Sequence, residues 1–175
     1  FFNMSIVQSK RLLVITGSPG TGKSTMAKLL ATKLGLLHID LHEMIENDSV
    51  LSSEFNKGKD CFDLDMGRVE ELVKVELKKN SGRVMVLDSH VAHLLSAELM
   101  IAVIVMKCSN LKILEKRLLD RNYSLAKVKE NLDSEIFEVC FDEASELGVP
   151  MLEFDTADVL DEEAALGSVQ KLLKH

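Results

Sequence analysis

The sequence predicts an α/β protein built on a five-stranded parallel sheet with helices on both faces. Three observations predict it. Short apolar, β-branched runs alternate with segments of helical period along the chain. Most of those runs are apolar at every position, without the in–out alternation of a sheet that has one wet face, so both faces are buried. The first run passes through a glycine-rich loop straight into a helical segment. Right-handed crossovers leave few topologies for such a chain, and ligands belong beyond the carboxyl ends of its strands.

The elements follow in order. Residues 11–16, RLLVIT, form the first strand. Met26, Ala27, Leu29, Leu30 and Leu34 have helical spacing over residues 23–34, and Gly35 stops that helix. LLHID is the second strand. Residues 42–63 are polar and irregular, with one short helix expected near Met44 and Ile45. Asp65 caps the next helix, whose core stripe is Val69, Leu72, Val73 and Leu77. Lys78 and Lys79 suit its carboxyl-terminal dipole, and Gly82 follows its end. RVMVLD and IAVIVMKC are the third and fourth strands, with His93 expected to start a helix between them. Ser109 is the expected cap of a helix through Leu119 that carries Leu111, Leu114 and Leu118. Ser124 is the expected cap of a longer helix with Val128, Leu132, Ile136, Val139 and Leu147 on its apolar side. PMLEFDT is the fifth strand and residues 161–174 the closing helix.

The 175 residues suffice for one domain, 1–175, and show no internal repeat and no dividing linker. A composition 46% hydrophobic and 28% charged folds rather than staying disordered. The net charge of −7 argues against non-specific nucleic-acid binding by the whole surface. Cys61, Cys108 and Cys140 form neither a disulfide framework nor a metal-ligand spacing, which points to a reducing compartment. The apolar run ELMIAVIVM is too short to span a bilayer, so no membrane partner is expected. No basic cluster marks nuclear import, and cytoplasm is the expected location. The three residues before Met4 read as foreign to the domain.

The glycine-rich loop fits G-x-x-x-x-G-K-[ST] from Gly17 to Ser24, between a predicted strand and a predicted helix. Gly17, Gly20 and Gly22 let the backbone curl so that several N–H groups face one anion, and the helix amino terminus adds partial positive charge. Lys23 is placed to reach β- and γ-phosphates, Ser24 to offer its hydroxyl to Mg²⁺, and Thr25 to bond an α-phosphate. Asp88, closing the third strand, is the candidate carboxylate for the metal. His90 either orients a water near the γ-phosphate or is a solvent-facing loop histidine. Arg117 and Arg121, spaced i, i+4 before a turn, are candidates to swing over transferring phosphates. Residues 40–64 are the natural place for a second substrate. Their first half is acidic, with Asp40, Glu43, Glu46 and Asp48, and Lys57, Lys59 and Arg68 are the nearest cations. Asp60, Asp63 and Asp65 read as a loop and a helix cap rather than a metal site.

These residues resemble the adenylate kinase isoenzyme 6 family almost end to end. The resemblance rests on GSPGTGKST, DCFDLDMGRVEEL, VLDSH, EKRLLDRNYSLAKVKENLDSEIFEV and the DEA that follows. It implies a nucleoside monophosphate kinase-like fold in which Gly20, Gly22, Lys23, Ser24 and Thr25 hold the nucleotide. Arg121 matches a lid arginine on ATP, Arg117 the arginine before it, and Asp88 and His90 a Walker B-like pair. A monophosphate-binding segment over about 40–64 and a short lid over about 120–130 follow by the same analogy. The implied activity is Mg²⁺-dependent transfer of the ATP γ-phosphoryl to AMP, with ATP hydrolysis, in small-ribosomal-subunit assembly. The implied partner is the ribosomal protein uS11, and an acidic chain is compatible with a basic partner. Two alternatives stand beside it: an assembly factor gated by ATP hydrolysis with incidental kinase activity, and a kinase for another nucleoside monophosphate. One departure bears on the acceptor. Glu46, in HIDLHEMIEND, stands where the family carries an arginine, and a carboxylate there is expected to repel an acceptor phosphate.

Overall fold

The computed structural model describes residues 10–55 and 64–174. Five strands, β1 (Leu12–Thr16), β2 (Leu37–Asp40), β3 (Met85–Asp88), β4 (Met100–Lys107) and β5 (Met151–Asp155), form one sheet in the order β2-β3-β1-β4-β5. All four pairings are parallel. Ile15 lies opposite Asp88, and Asp88 opposite Asp40. The carboxyl ends of β1, β3 and β2 therefore stand side by side. The neighbouring strands β1 and β3 send their connections to opposite sides of the sheet, to β2 and β4, so the loop after Thr16 opens at a switch point, where such sheets bind ligands.

Eight helices accompany the sheet among the described residues: α1 (Lys23–Leu34), α2 (Leu41–Asn47), α3 (Ser49–Phe55), α4 (Met66–Lys79), α5 (Leu111–Leu119), α6 (Leu125–Ile136), α7 (Val139–Ser145) and α8 (Glu162–Leu173). Alternate strand residues feed two cores. Leu12, Val14, Leu87 and Val103 pack with Ile45, Leu51, Val69, Val73 and Ala144 of α2, α3, α4 and α7. Leu13, Ile15, Val86 and Ile104 pack on the other face with Met26 and Leu30 of α1 and Ala165 and Val169 of α8. Because both faces of the central strands are covered, β1, β3 and β4 are apolar along most of their length, while the edge strands β2 and β5 carry His38 and Glu153. A third cluster, Cys108, Leu114, Leu118 and Val128, joins α5 to α6 beyond the end of β4.

Four expectations from the sequence change. The stretch after β2 holds α3 as well as a helix near Met44, because the Asp48 carboxylate accepts from the amides of Val50 and Leu51 and starts a second helix. The cap of α5 is Asn110, whose side chain accepts from Ile113 N–H, while Ser109 N–H donates to Asp155. The long helix capped by Ser124 is two helices. Glu138 takes a left-handed conformation, φ 50°, which ends α6 and starts α7 in a new direction, and leaves Ile136 and Val139 exposed rather than in the core. After β3 come two short 3-10 turns, Ala92–Leu94 and Ala97–Leu99, and His93 is buried in the first of them. Lys57, Lys59, Asp60, Cys61 and Asp63 lie outside the described residues.

Candidate active site

The loop between β1 and α1 takes its shape from its glycines. Gly17 has φ 141°, and a Cβ there would sit 2.2 Å from the Met106 carbonyl oxygen. Gly22 has φ 95° and occupies the N-cap of α1. A glycine cap brings no side chain to bond the first-turn amides, and the first turn of α1 holds no acidic residue. The positive end of the helix therefore faces the cleft uncompensated, ready for an anion.

Lys23 projects back into the loop and donates to the carbonyls of Gly17 at 2.7 Å and Ser18 at 2.9 Å. Burial of its ammonium pushes its pKa down to about 8, with nearby Arg121 acting in the same direction and Cys140 and Asp88 opposing. The Ser24 hydroxyl donates to Asp88 Oδ2 at 2.6 Å. The other oxygen of Asp88 meets Nε2 of His38, from β2, at 2.5 Å. Asp88 is thus held at both oxygens, with a hydroxyl and a carboxylate side by side, the oxygen donors that hard divalent cations take.

Two cavities meet at the loop. One, of about 460 Å³, is lined by Lys23, Ser24, Asp88 and His90 on the loop side, by Asp40 and His42 at the start of α2, and by Arg121 and Tyr123 after α5. The other, of about 400 Å³, shares Gly20, Gly22, Thr25 and Arg121 and extends over α1 to Thr156, Val159 and Leu160 after β5.

The predicted arginine pair divides. Arg121 lies just past Asp120, the C-cap of α5, and borders both cavities. Arg117 donates to the Thr156 carbonyl at 2.7 Å, to the Thr156 hydroxyl at 3.0 Å and to the Gly20 carbonyl at 3.3 Å. The Thr156 hydroxyl lies in turn 3.0 Å from the Thr21 carbonyl. Arg117 therefore ties the phosphate loop to the segment after β5 and borders only the second cavity.

The acceptor side differs from its expectation. Arg68 makes a two-pronged contact with Asp48, at 2.8 and 2.7 Å, and lines neither cavity. That contact holds the Asp48 carboxyl down at about 2. Glu46 is exposed, sits 3.2 Å from His42 Nε2, and is not on the cavity wall, whereas His42 is. Sequence reasoning missed His38, Tyr123 and Thr156. His38 carried a signal, since an imidazole interrupts an otherwise apolar strand two residues before Asp40.

Residues 13–138 match the family model described as an AAA domain. The "Putative adenylate kinase" of Methanocaldococcus jannaschii is 33% identical over 164 residues, spanning 93% of this chain and 86% of that protein. The "Adenylate kinase isoenzyme 6 homolog" of Caenorhabditis elegans is 34% identical over 134 residues, 77% of this chain and 72% of its own. Among solved structures, a gluconokinase from Sinorhizobium meliloti has a TM-score of 0.61 at 15% identity, covering 95% of this chain and 98% of its own. A shikimate kinase from Acinetobacter baumannii has 0.60 at 15%, covering 95% and 94%. These structures share the fold, a P-loop kinase sheet of the nucleoside monophosphate kinase-like type. By the match over residues 13–138 and the identity to these relatives, the chain belongs to the AAA-domain family and, within it, to the group of adenylate kinase isoenzyme 6 homologues.

Proposed function

We propose that the protein is a nucleotide kinase that transfers the γ-phosphoryl of ATP to AMP and hydrolyses ATP when water takes the acceptor's place. The observation that carries this reading is the uncapped amino terminus of α1 beside the Ser24–Asp88 pair, with a cavity on either side. The cavity over α1 takes the adenine and ribose of ATP, and the larger one takes the γ-phosphate and the acceptor. The names of the relatives supply the acceptor, AMP.

Ser24 and Asp88 are the residues that would hold Mg²⁺, which neutralises charge on the β- and γ-oxygens when bound. His38 keeps Asp88 turned toward Ser24. Lys23 exchanges its two loop carbonyls for phosphate oxygens, and the amides of Gly20, Gly22, Ser24 and Thr25 grip the chain of phosphates. An oxygen of the AMP phosphate attacks the γ-phosphorus, the bond to the β–γ bridging oxygen breaks, and two ADP result. Arg121 faces the charge that builds on the moving group. Arg117 holds the loop in shape. His90, on the cavity wall, orients the attacking water during hydrolysis.

A second reading has its own observation: Arg68, the described member of the Lys57, Lys59 and Arg68 set expected near an acceptor, is committed to Asp48. It makes hydrolysis the main output, driving assembly of the small ribosomal subunit with uS11 as partner, as the family resemblance implies. A kinase for another monophosphate is the remaining alternative. A coupled assay with AMP, CMP, UMP or no acceptor separates them. AMP-dependent ADP formation supports the first reading, and hydrolysis indifferent to every monophosphate refutes it in favour of the second. Lys23→Ala should remove both activities, and full turnover in that variant would contradict the site.

A further inference from the structure

Thr16 ends β1 and immediately precedes Gly17. Its hydroxyl lies 2.6 Å from Nδ1 of His93, and Nε2 of the same ring lies 2.6 Å from Oε2 of Glu143 on α7. The His93 side chain is 1% exposed. Cys140, on the same helix, has its thiol pushed up by burial. None of these residues lines the cavity that holds Lys23, Ser24 and Asp88.

The chemistry fixes the direction of the chain. An ionised carboxylate only accepts, so Nε2 carries the hydrogen and donates to Glu143. In the neutral imidazole Nδ1 is then left with a lone pair, and the Thr16 hydroxyl donates into it. We propose that His93 is a positioning residue for the phosphate loop. Locked by Glu143 as the Nε2–H tautomer, it holds Thr16, and with it the peptide that sets Gly17 against the Met106 carbonyl. Gly17 runs so close to that carbonyl that even a Cβ would collide with it, so a rotated Thr16 turns the loop amides away from the anion they face. The same chain ties α7, the helix after the α6 break, to the start of the loop.

The proposal rests on the reading that this loop holds ATP, so binding of Mg·ATP by the unaltered protein is measured first, and its failure counts against that reading alone. Long-range ¹H–¹⁵N correlation on histidine-labelled protein at neutral pH should show His93 as Nε2–H, and an Nδ1–H pattern overturns the proposal. Thr16→Val keeps the side-chain volume and should weaken Mg·ATP binding about tenfold, the loss of roughly one good hydrogen bond. Thr16→Ser should restore it. Thr16→Val with Glu143→Gln should be no worse than the weaker-binding single variant. Unchanged binding in Thr16→Val, or effects that add in full, would overturn the proposal. If Thr16→Val does not fold, the tautomer measurement on the unaltered protein decides alone.

Discussion

Raising the pH through 8 should weaken ATP binding, and the size of the effect follows from Lys23. In the free protein its ammonium is desolvated inside the loop and its pKa falls from an ordinary 10.5 to about 8. Phosphate oxygens beside the ammonium favour the charged form, so the bound protein keeps the proton to higher pH. The sign is therefore definite. Below pH 8 the lysine is charged with or without ligand, and affinity is level. Above it, binding must take up a proton, and the association constant falls about tenfold per pH unit until the bound lysine also titrates. At pH 9 the loss is about tenfold, or roughly 1.4 kcal/mol. Cys108 and Cys140 do not imitate the effect, because burial pushes both thiols above their ordinary value. Titration calorimetry in two buffers of different ionisation enthalpy should find an uptake of about half a proton per ATP at pH 8, and none at pH 6.5. Lys23→Arg stays charged and should bind with no such slope. Level affinity from pH 7 to 9.5, or proton release in place of uptake, would refute the reasoning.

Asp88→Asn preserves the shape beside Ser24 but removes the charge. We expect kcat to fall about a hundredfold or more while metal-free nucleotide affinity holds or rises, as read from Mg²⁺ titrations of turnover. The two arginines should separate by assay. Arg117→Ala loses three hydrogen bonds behind the loop, costs about 2 kcal/mol and lowers Tm by about 4–8 °C, whereas Arg121→Ala leaves Tm in place and lowers kcat. Asp48, held at about 2 by Arg68 against an ordinary 3.8, contributes stability that is complete above pH 3.8 and lost as pH falls through 2. Arg68→Gln should therefore move acid unfolding to higher pH, and an unmoved midpoint would show the pair to be idle.

The three central strands were legible because burial on both faces leaves mostly apolar residues, and the runs around Leu13, Val86 and Ile104 have no other use. The loop was legible because its glycines serve a backbone shape that other residues strain to adopt. What escaped has a common cause: the partner is far away in sequence. His38 and Asp88 are 50 residues apart and Thr16 and His93 are 77, so neither histidine announces its role locally. Arg117 has the residue type and spacing of a phosphate clamp, and its bonds to Thr156, 39 residues on, could not be read from that spacing. The break at Glu138 carries neither glycine nor proline, and the helical period runs across it unmarked. Asn110 and Ser109 are both good caps, and the choice falls to Asp155, which takes the Ser109 amide.

The grip of Lys23 on the Gly17 and Ser18 carbonyls has a consequence for selectivity. A cation already satisfied by its own backbone is no general sink for chloride or free phosphate, since a single small ion must outbid two good oxygen acceptors. A triphosphate engages amides along the whole turn at once and can draw the lysine across as the last of many contacts. The loop thus answers to the length of an anion as well as to its charge.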